Sequence, residues 1–193
     1  DVIDEIQLAL TESGVGSVGR LPDGGNRLVS FASRERTPAG PNFQSVPGLQ
    51  INEVLAHTVP PLEPAIEIYN HSGNRVDLSG WLLGWSATSL DQFRVPAGTV
   101  IQPGDFHVLY EGEWNAGNGE MLDSLPIGEG VAVYLSEIDS EGNATGRRAV
   151  MPVDKSSMGQ SVGSIGVGPN LEYGRLFQPT FGASSPDSVE AFR

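Results

Sequence analysis

The chain carries, at residues 76–83, the stretch Val76-Asp77-Leu78-Ser79-Gly80-Trp81-Leu82-Leu83, a turn signal followed directly by an apolar run. Asp77 can cap a tight turn with its carboxylate, and Gly80 can supply the positive φ that such a turn needs. Trp81 then begins a strand, and its large ring is best buried between two layers of structure. The stretch therefore predicts a turn that leads into an inward-facing β-strand.

Outward from this stretch, apolar residues alternate with polar ones, which is the pattern of half-buried strands. The alternating runs are residues 51–56, 66–69, 106–110 and 131–136. The side chains predicted to be buried are Ile66, Ile68, Trp81, Leu83, Phe106, Val108, Val131, Val133 and Leu135. Those predicted to be exposed are Glu67, Arg94 and His107. Strands at spacings near ten residues, separated by Gly, Pro and Asn turns, indicate an antiparallel sandwich or barrel.

The composition agrees with an all-β protein that has a real core. The 193 residues include 25 Gly and 14 Pro, which favour short strands and tight turns over long helices, and 38% are hydrophobic. This length suits one domain of ordinary size and an appendage. No apolar run is long enough to span a bilayer, so membrane insertion is not expected.

The start of the chain repeats its end. A shift of 144 positions places Ser17-Val18-Gly19 on Ser161-Val162-Gly163, and it places Gly24 and Asn26 on Gly168 and Asn170. Repeats at a fixed offset are typical of arrays of modules. The chain therefore resembles the tail of one domain followed by a complete second domain.

The repeat sets the expected domain boundaries. Residues 1–45 are predicted to be the terminal strands of a preceding repeat with a linker, residues 46–186 a complete β-sandwich, and residues 187–193 a tail. The strand-like runs of the first piece are residues 6–10, 17–21 and 27–31. Two or three strands alone are marginal in water, so this piece must pack on the main domain, pair with another copy, or fray. We expect residues 46–186 to fold without it, and we expect residues 1–45 to favour self-association through their open strand edges.

The formal charge of −13 makes nucleic acids unfavourable partners and leaves cations as possible ones. Such a surface repels phosphate backbones, which disfavours nucleic-acid binding. It suits cations such as Ca²⁺, or it serves solubility. The chain has no cysteine, which rules out disulfides and thiolate metal sites.

Several motifs in a fixed order resemble the lamin-tail domain. They are Ile51-Asn52-Glu53-Val54, Ile66-Glu67-Ile68-Tyr69-Asn70, residues 76–83, residues 93–101, residues 103–109 and residues 128–135. The resemblance covers roughly residues 48–185. The stretch at residues 18–25 is similar to the end of a second such domain.

The resemblance implies an immunoglobulin-like antiparallel β-sandwich with no catalytic residues of its own. It also implies a bacterial, secreted or surface-attached parent protein, in which such domains are often repeated. We therefore expect a non-catalytic interaction or spacer module, located outside the cell or at the cell surface, with a periplasmic location as the alternative. Its expected partners are other domains of the same polypeptide or another cell-surface protein. A Ca²⁺-dependent or carbohydrate-binding adhesion module remains the other candidate.

One serine motif formally matches a hydrolase signature. Residues 159–163 read Gly-Gln-Ser-Val-Gly, the pattern of a nucleophile elbow with Ser161 as the nucleophile. That elbow requires a helix directly after the serine, and the Gly- and Pro-rich stretch 164–169 cannot form one. The sequence therefore predicts that Ser161 is not catalytic.

Carboxylates and one aromatic residue remain as candidate site residues. Glu53 and Glu67 lie in strands that are neighbours in sequence, and paired carboxylates can carry out acid–base work or hold Ca²⁺. Asp139 and Glu141 form an acidic hairpin tip, the candidate metal site. Trp114 stands in a polar loop and is the candidate ligand contact for a sugar ring. No cofactor is expected, with Ca²⁺ as the one open possibility.

Overall fold

A computed structural model describes residues 16–58, 61–115, 131–153 and 159–183. Within those ranges the protein is built from strands, two three-residue 3₁₀ helices and one five-residue α-helix, α1 (Glu111–Asn115). The strands are β1 (Ser17–Arg20), β2 (Leu28–Phe31), β3 (Gln44–Ser45), β4 (Leu49–Leu55), β5 (Ala65–Asn70), β6 (Val76–Asp77), β7 (Leu82–Gly84), β8 (Phe93–Arg94), β9 (Val100–Ile101), β10 (Phe106–Tyr110), β11 (Val131–Ile138), β12 (Ala144–Val153), β13 (Ser161–Ile165) and β14 (Glu172–Leu176).

Two five-stranded sheets form the body of the fold. Their strand orders are β10-β5-β4-β13-β14 and β3-β12-β11-β7-β8, and two further pairs, β1-β2 and β6-β9, stand apart. Within the described residues, the strand pairings are antiparallel except for that of β3 with β12. This is the immunoglobulin-like β-sandwich that the sequence predicts.

The turn before Trp81 forms as expected. Asp77 Oδ1 accepts the backbone N–H of Ser79 at 2.9 Å, and Gly80 has a φ of 76°. The hydroxyl of Ser79 in turn accepts the N–H of Gly98 at 2.8 Å, which ties this turn to the Pro96–Gly98 corner. Hydrogen bonds from the side chain and from the backbone N–H of Ser79 to the Asp77 carboxylate hold the pKa of Asp77 below its usual value.

The sandwich core lies between the two sheets, and most of the predicted core residues are in it. Ile66, Ile68, Trp81, Leu83, Val133 and Leu135 are buried, as the sequence predicts. Val131, at the beginning of β11, is only half-buried. Arg94 is exposed as predicted and pairs with Asp91 at 2.9 Å.

The prediction for β10 is wrong by one residue. Leu109, opposite Ile66, is the β10 residue in the core, whereas Phe106 and Val108 are half-buried on the other face. His107 lies opposite Ile68, is half-buried rather than exposed, and has its Nε2 atom buried. A period of two cannot distinguish the two faces of a strand when both carry large side chains, and the residues at 106–110 are all large.

The N-terminal piece contains the two strands predicted at residues 17–21 and 27–31, now β1 and β2. This hairpin corresponds to the β13–β14 hairpin at the 144-residue offset. Gly24 and Gly168 occupy the corresponding loop positions, and both have positive φ. The strand predicted at residues 6–10 lies outside the described residues, as does the tail at 187–193.

The described part of this piece contacts the main body of the same chain. Leu21 is 1% exposed, and a Cβ atom built on Gly146 would come within 2.5 Å of its Cδ1. Gly146, with a φ of 86°, therefore allows a close approach that a larger residue would block. Gln44 and Ser45, placed before the expected boundary at 46, form β3 and pair with β12.

In the described part of the chain, α1 is the only α-helix, and no helix there is long and apolar enough to cross a membrane.

Candidate functional site

Two buried glutamates face each other on the side of the first sheet that points away from the core. Glu53 on β4 lies directly opposite Glu67 on β5, and both are 0% exposed. The register of β4 shifts between Ile51 and Glu53, which makes Asn52 an extra residue in the strand. Such a bulge lets adjacent residues be re-aimed locally, and it brings Asn52 into contact with Glu67.

Glu53 binds two segments that are distant in sequence. Its Oε1 accepts the Ser161 hydroxyl at 2.5 Å, and both of its oxygens accept the Thr180 N–H at 3.0 Å. The Thr180 hydroxyl donates to Oε2 at 2.7 Å. Glu53 therefore ties β4 to β13 and to the segment that follows β14.

Glu67 has its own set of donors. Asn52 Nδ2 donates to Oε1 at 2.7 Å, and the Gly182 N–H donates to Oε2. Asn52 Oδ1 accepts the hydroxyl of Ser164 at 2.7 Å, which extends the network to β13. We name Glu53, Glu67, Thr180 and Gly182 the carboxylate clasp, because the two glutamates hold the chain at residues 180–182 against the sheet.

The clasp corrects the prediction for Glu67, which the alternation of β5 placed in solvent. The alternation is correct, since Glu67 does face away from the core formed by Ile66 and Ile68. The segment around residues 180–182 covers that face, however, and the glutamate is buried beneath it. The pairing of the two glutamates, suggested by their neighbouring strands, is confirmed by the register.

Burial has the largest effect on the pKa of Glu67 in the carboxylate clasp. It raises the pKa of Glu67 from 4.5 to about 7, against the effect of the hydrogen bonds from Gly182 and Asn52, and the nearby charge of Glu53 raises it further. Two negative charges on Glu53 and Glu67, which lie opposite each other on a buried face of the sheet, would repel each other. A proton on one of the two carboxylates removes this repulsion. Glu67 therefore retains its proton in the folded protein well above the pH at which an exposed glutamate loses it.

We predict that this titration makes the domain less stable as pH rises. Between pH 4.5 and about 7 the unfolded chain releases the Glu67 proton while the folded chain keeps it, so the free energy of unfolding falls across this window. The loss is on the order of 3 kcal/mol. Urea melts at several pH values measure it, and Glu67→Gln should flatten the profile because glutamine has no proton to release.

The control for this prediction is Glu172→Gln, since Glu172 is exposed on β14. That variant should keep the wild-type profile. A Glu67→Gln variant whose stability falls with pH as steeply as that of the wild type would contradict the assignment.

Ser161 is hydrogen-bonded to Glu53 of the carboxylate clasp, and it does not stand on an exposed nucleophile elbow. It is 0% exposed, begins β13, and donates its hydroxyl to Glu53. A nucleophilic serine needs an accessible oxygen and a base that removes its proton. Ser161 is instead bonded to a buried carboxylate, and it begins a strand where a nucleophile elbow would need a helix. This arrangement fits a structural role for Ser161.

The acidic hairpin tip forms where the sequence predicts it, between β11 and β12. Asp139 Oδ1 accepts the N–H groups of Glu141 and Asn143, each at 2.9 Å, and these bonds hold the pKa of Asp139 low. The carboxylate thus caps its own turn. Within the described ranges, no group of three or more His, Asp or Glu side chains is arranged to hold a metal ion.

Trp114, the candidate ligand contact, lies on α1, but its side chain is outside the described part of the structure. The helix begins next to the loop that precedes β5. Glu63 Oε1 accepts the N–H of Gly112 at 2.5 Å, and Glu113 Oε2 accepts the N–H of Tyr110 at 2.8 Å. Two of the carboxylates near Trp114 are thus engaged with the backbone.

Comparison with protein families identifies this sandwich. A family model described as the Lamin Tail Domain matches residues 42–151, more than half of the chain. The chain belongs to the lamin tail domain family. No curated protein and no solved structure gives a significant match to it.

Lamin tail domains are immunoglobulin-like modules and in general not enzymes. In this lamin tail domain the family match contains both clasp glutamates, on β4 and β5, and it ends within β12. The strands β13 and β14 and the donors Ser161, Thr180 and Gly182 lie beyond the match. The clasp therefore joins the matched part of the domain to the strands that complete its first sheet.

Proposed function

We propose that this lamin tail domain is a non-catalytic interaction or spacer module of a larger secreted or cell-surface bacterial protein. The observation that carries the proposal is the carboxylate clasp. The buried carboxylates best placed to act as an acid–base pair accept hydrogen bonds from the chain's own backbone and side chains. Groups that are buried and fully bonded in this way stabilise a fold and are not available to a substrate.

The repeated hairpin supports an array of modules. The β1–β2 hairpin lies 144 positions before the β13–β14 hairpin that completes the sandwich, and it shares the antiparallel pairing and the loop glycine of that hairpin, with a register that differs by one residue. The N-terminal piece, which resembles the end of a preceding module, contacts the sandwich where Leu21 packs against Gly146. Such a contact between successive modules suits a protein built of tandem domains. The negative charge of the chain suits a soluble spacer.

A Ca²⁺-dependent or sugar-binding adhesion module is the second candidate, favoured by the acidic hairpin tip at Asp139 and Glu141. Titration calorimetry with CaCl₂ and a glycan array separate the two. If the domain is a spacer, titration of the wild type with CaCl₂ gives no saturable heat that depends on Asp139. On the glycan array, the wild type gives no more signal than the Trp114→Ala variant. A saturable Ca²⁺ isotherm lost in Asp139→Asn would establish the second candidate.

The non-catalytic character has a direct chemical test. We predict that a fluorophosphonate probe leaves the folded protein unlabelled, because the Ser161 hydroxyl is buried and bonded to Glu53. Labelling is read by intact-protein mass spectrometry, with Ser161→Ala as the matched control. Stoichiometric labelling that disappears in Ser161→Ala would contradict the proposal.

The location and the array are tested in the source organism. Antibodies against this chain should detect a polypeptide longer than 193 residues in the secreted or surface fraction, and that polypeptide should be removed when intact cells are treated with protease. A protease-resistant signal confined to the cytosolic fraction would overturn the proposed location.

A further inference from the structure

The β1–β2 hairpin has an edge with no strand beside it in the described part of the chain. There β1 pairs with β2 alone, and the two strands form a sheet of their own. The Asn42 side chain donates to the Arg20 carbonyl at 3.2 Å and so covers one end of β1. An open edge of this kind is a template to which a further strand can be added.

The corresponding strand at the end of the chain has a neighbour at this edge. β13 pairs with β14 on one side and with β4 on the other. Val162 of β13 lies opposite Val54 of β4, and Gly163 is paired with Glu53. The 144-residue offset places Val18 and Gly19 of β1 at the positions of Val162 and Gly163. The edge that is open in β1 is therefore the edge that β4 occupies in β13.

A serine contact to β4 is matched in sequence as well. The Ser161 hydroxyl of β13 donates to Glu53 at 2.5 Å, and Ser17 holds the corresponding position in β1. A strand of the β4 type placed beside β1 would bring its glutamate to the Ser17 hydroxyl. A hydrogen bond to a charged acceptor of this kind is stronger than one between neutral groups.

One face of the hairpin is exposed although it carries apolar side chains. Leu28 is 38% exposed and Ser30 is exposed, whereas Phe31, on the other face of β2, is buried. Val18 lies opposite Ser30, so it shares the exposed face with Leu28. The hairpin therefore has a covered face and an uncovered one.

In the β13–β14 hairpin the face that corresponds to the uncovered one is part of the sandwich core. Val162, the counterpart of Val18, is buried in that core, and Tyr173 packs against it. Tyr173 has the position across its hairpin that Leu28 has in β1–β2. Val18 and Leu28 are thus suited to the core of a sandwich other than the one in this chain.

The charge of the N-terminal piece is opposite to that of the sandwich. Residues 16–45 contain four Arg against Asp23 and Glu35, a formal net charge of +2. Residues 46–193 contain 18 acidic and 7 basic residues, a net charge of −11. Opposite charges favour the encounter of two surfaces, so the basic hairpin suits an acidic sandwich of the same kind.

We propose that the open edge of β1 and the exposed face of Val18 and Leu28 bind the β4-type strand of another lamin tail sandwich, the module that precedes this one in the polypeptide. The hairpin then completes the first sheet of that module as β13–β14 completes the sheet here. This inference rests on the proposed array, for which it names the joint between modules. The fluorophosphonate and fractionation tests do not depend on this joint, so the two proposals can fail separately.

The probe is the N-acetylated, C-amidated peptide of residues 49–55, which stands in for the β4-type strand. Titrated into the ¹⁵N-labelled 193-residue chain, it should cause saturable amide shift changes confined to residues 17–20 and 28–30. The matched probe carries Val54→Pro and Leu55→Pro and keeps Glu53. Adjacent N–H groups of a strand point to opposite edges, so this probe lacks a donor towards β1 and should not bind.

Variants of the chain test the edge and the face. Val18→Glu places a charge on the apolar face and should abolish binding, whereas Leu62→Glu, at a 50% exposed position outside the hairpin, should not change it. Ser17→Ala should weaken binding about fivefold, the factor that corresponds to one hydrogen bond. Unchanged shifts at Ile68 show that each variant is folded.

Three outcomes would overturn the proposal. They are the absence of saturable shifts in the wild type, equal binding of the two probes, and full binding to Val18→Glu. Sedimentation velocity adds a test for a second copy of the chain as the occupant. A wild-type dimer that persists at saturating peptide and that Val18→Glu dissociates would show that a second copy covers this face, which would also overturn the proposal.

Discussion

Replacing Trp81 by alanine is expected to lower the free energy of unfolding by about 3–5 kcal/mol, the largest effect of any substitution considered for this domain. The Trp81 ring is 7% exposed and lies in the core with Leu78 and Val95. Its truncation leaves a cavity where the 77–81 turn meets the 95–98 corner, two elements joined by the bond from the Val95 N–H to the Trp81 carbonyl. Urea denaturation followed by circular dichroism measures the change.

Phe177→Ala is the control for this prediction, because Phe177 is an aromatic residue that is 72% exposed. It should change the free energy of unfolding by less than about 0.5 kcal/mol. Comparable losses for the two variants would show that Trp81 is not a core residue.

Replacing Glu53 by alanine is expected to lower the free energy of unfolding by about 3 kcal/mol. The change removes the acceptor of three donors, the buried Ser161 hydroxyl and the half-buried Thr180 N–H and hydroxyl, and leaves them without that partner. At pH 6 Glu67 keeps its proton, so no charge repulsion between the two glutamates is relieved to offset this loss. Urea denaturation at pH 6 measures the net change.

Two variants check the cause of that loss. Glu53→Gln keeps the shape and one acceptor oxygen, so it should lose less stability than Glu53→Ala. Glu141→Gln, at the exposed hairpin tip, should be close to neutral. A Glu53→Ala variant as stable as the wild type would mean that these hydrogen bonds do not hold the domain together.

The fold could be predicted from the sequence because its signals are local. The cap of Asp77 on Ser79, the positive φ of Gly80 and the burial of Trp81 are all decided within a few residues. The alternation in β5 and β11 was likewise enough to place Ile66, Ile68, Val133 and Leu135 in the core. The match to the lamin tail domain family confirms the family suggested by the same motifs.

The errors arose where contacts distant in sequence decide the outcome. Glu67 is buried because residues more than a hundred positions later cover it, and no local pattern carries that information. In β10, Phe106 stacks on Tyr69 at 4.5 Å on the outer face, a contact that offsets its exposure, while Leu109 fills the core. The pairing of Glu53 with Glu67 was suggested by their neighbouring strands, but no sequence pattern pointed to Thr180 and Gly182 as their hydrogen-bond donors.

Hydrogen exchange at Thr180 and Gly182 tests the carboxylate clasp most directly, because their N–H groups donate to Glu53 and Glu67. Followed by NMR at pH 6, the two amides should be protected in the wild type. Protection should be lost at Thr180 in Glu53→Ala and at Gly182 in Glu67→Ala, while Ile68 in the core stays protected. Exchange of both amides in the wild-type protein at the rate of an unstructured peptide would contradict the account.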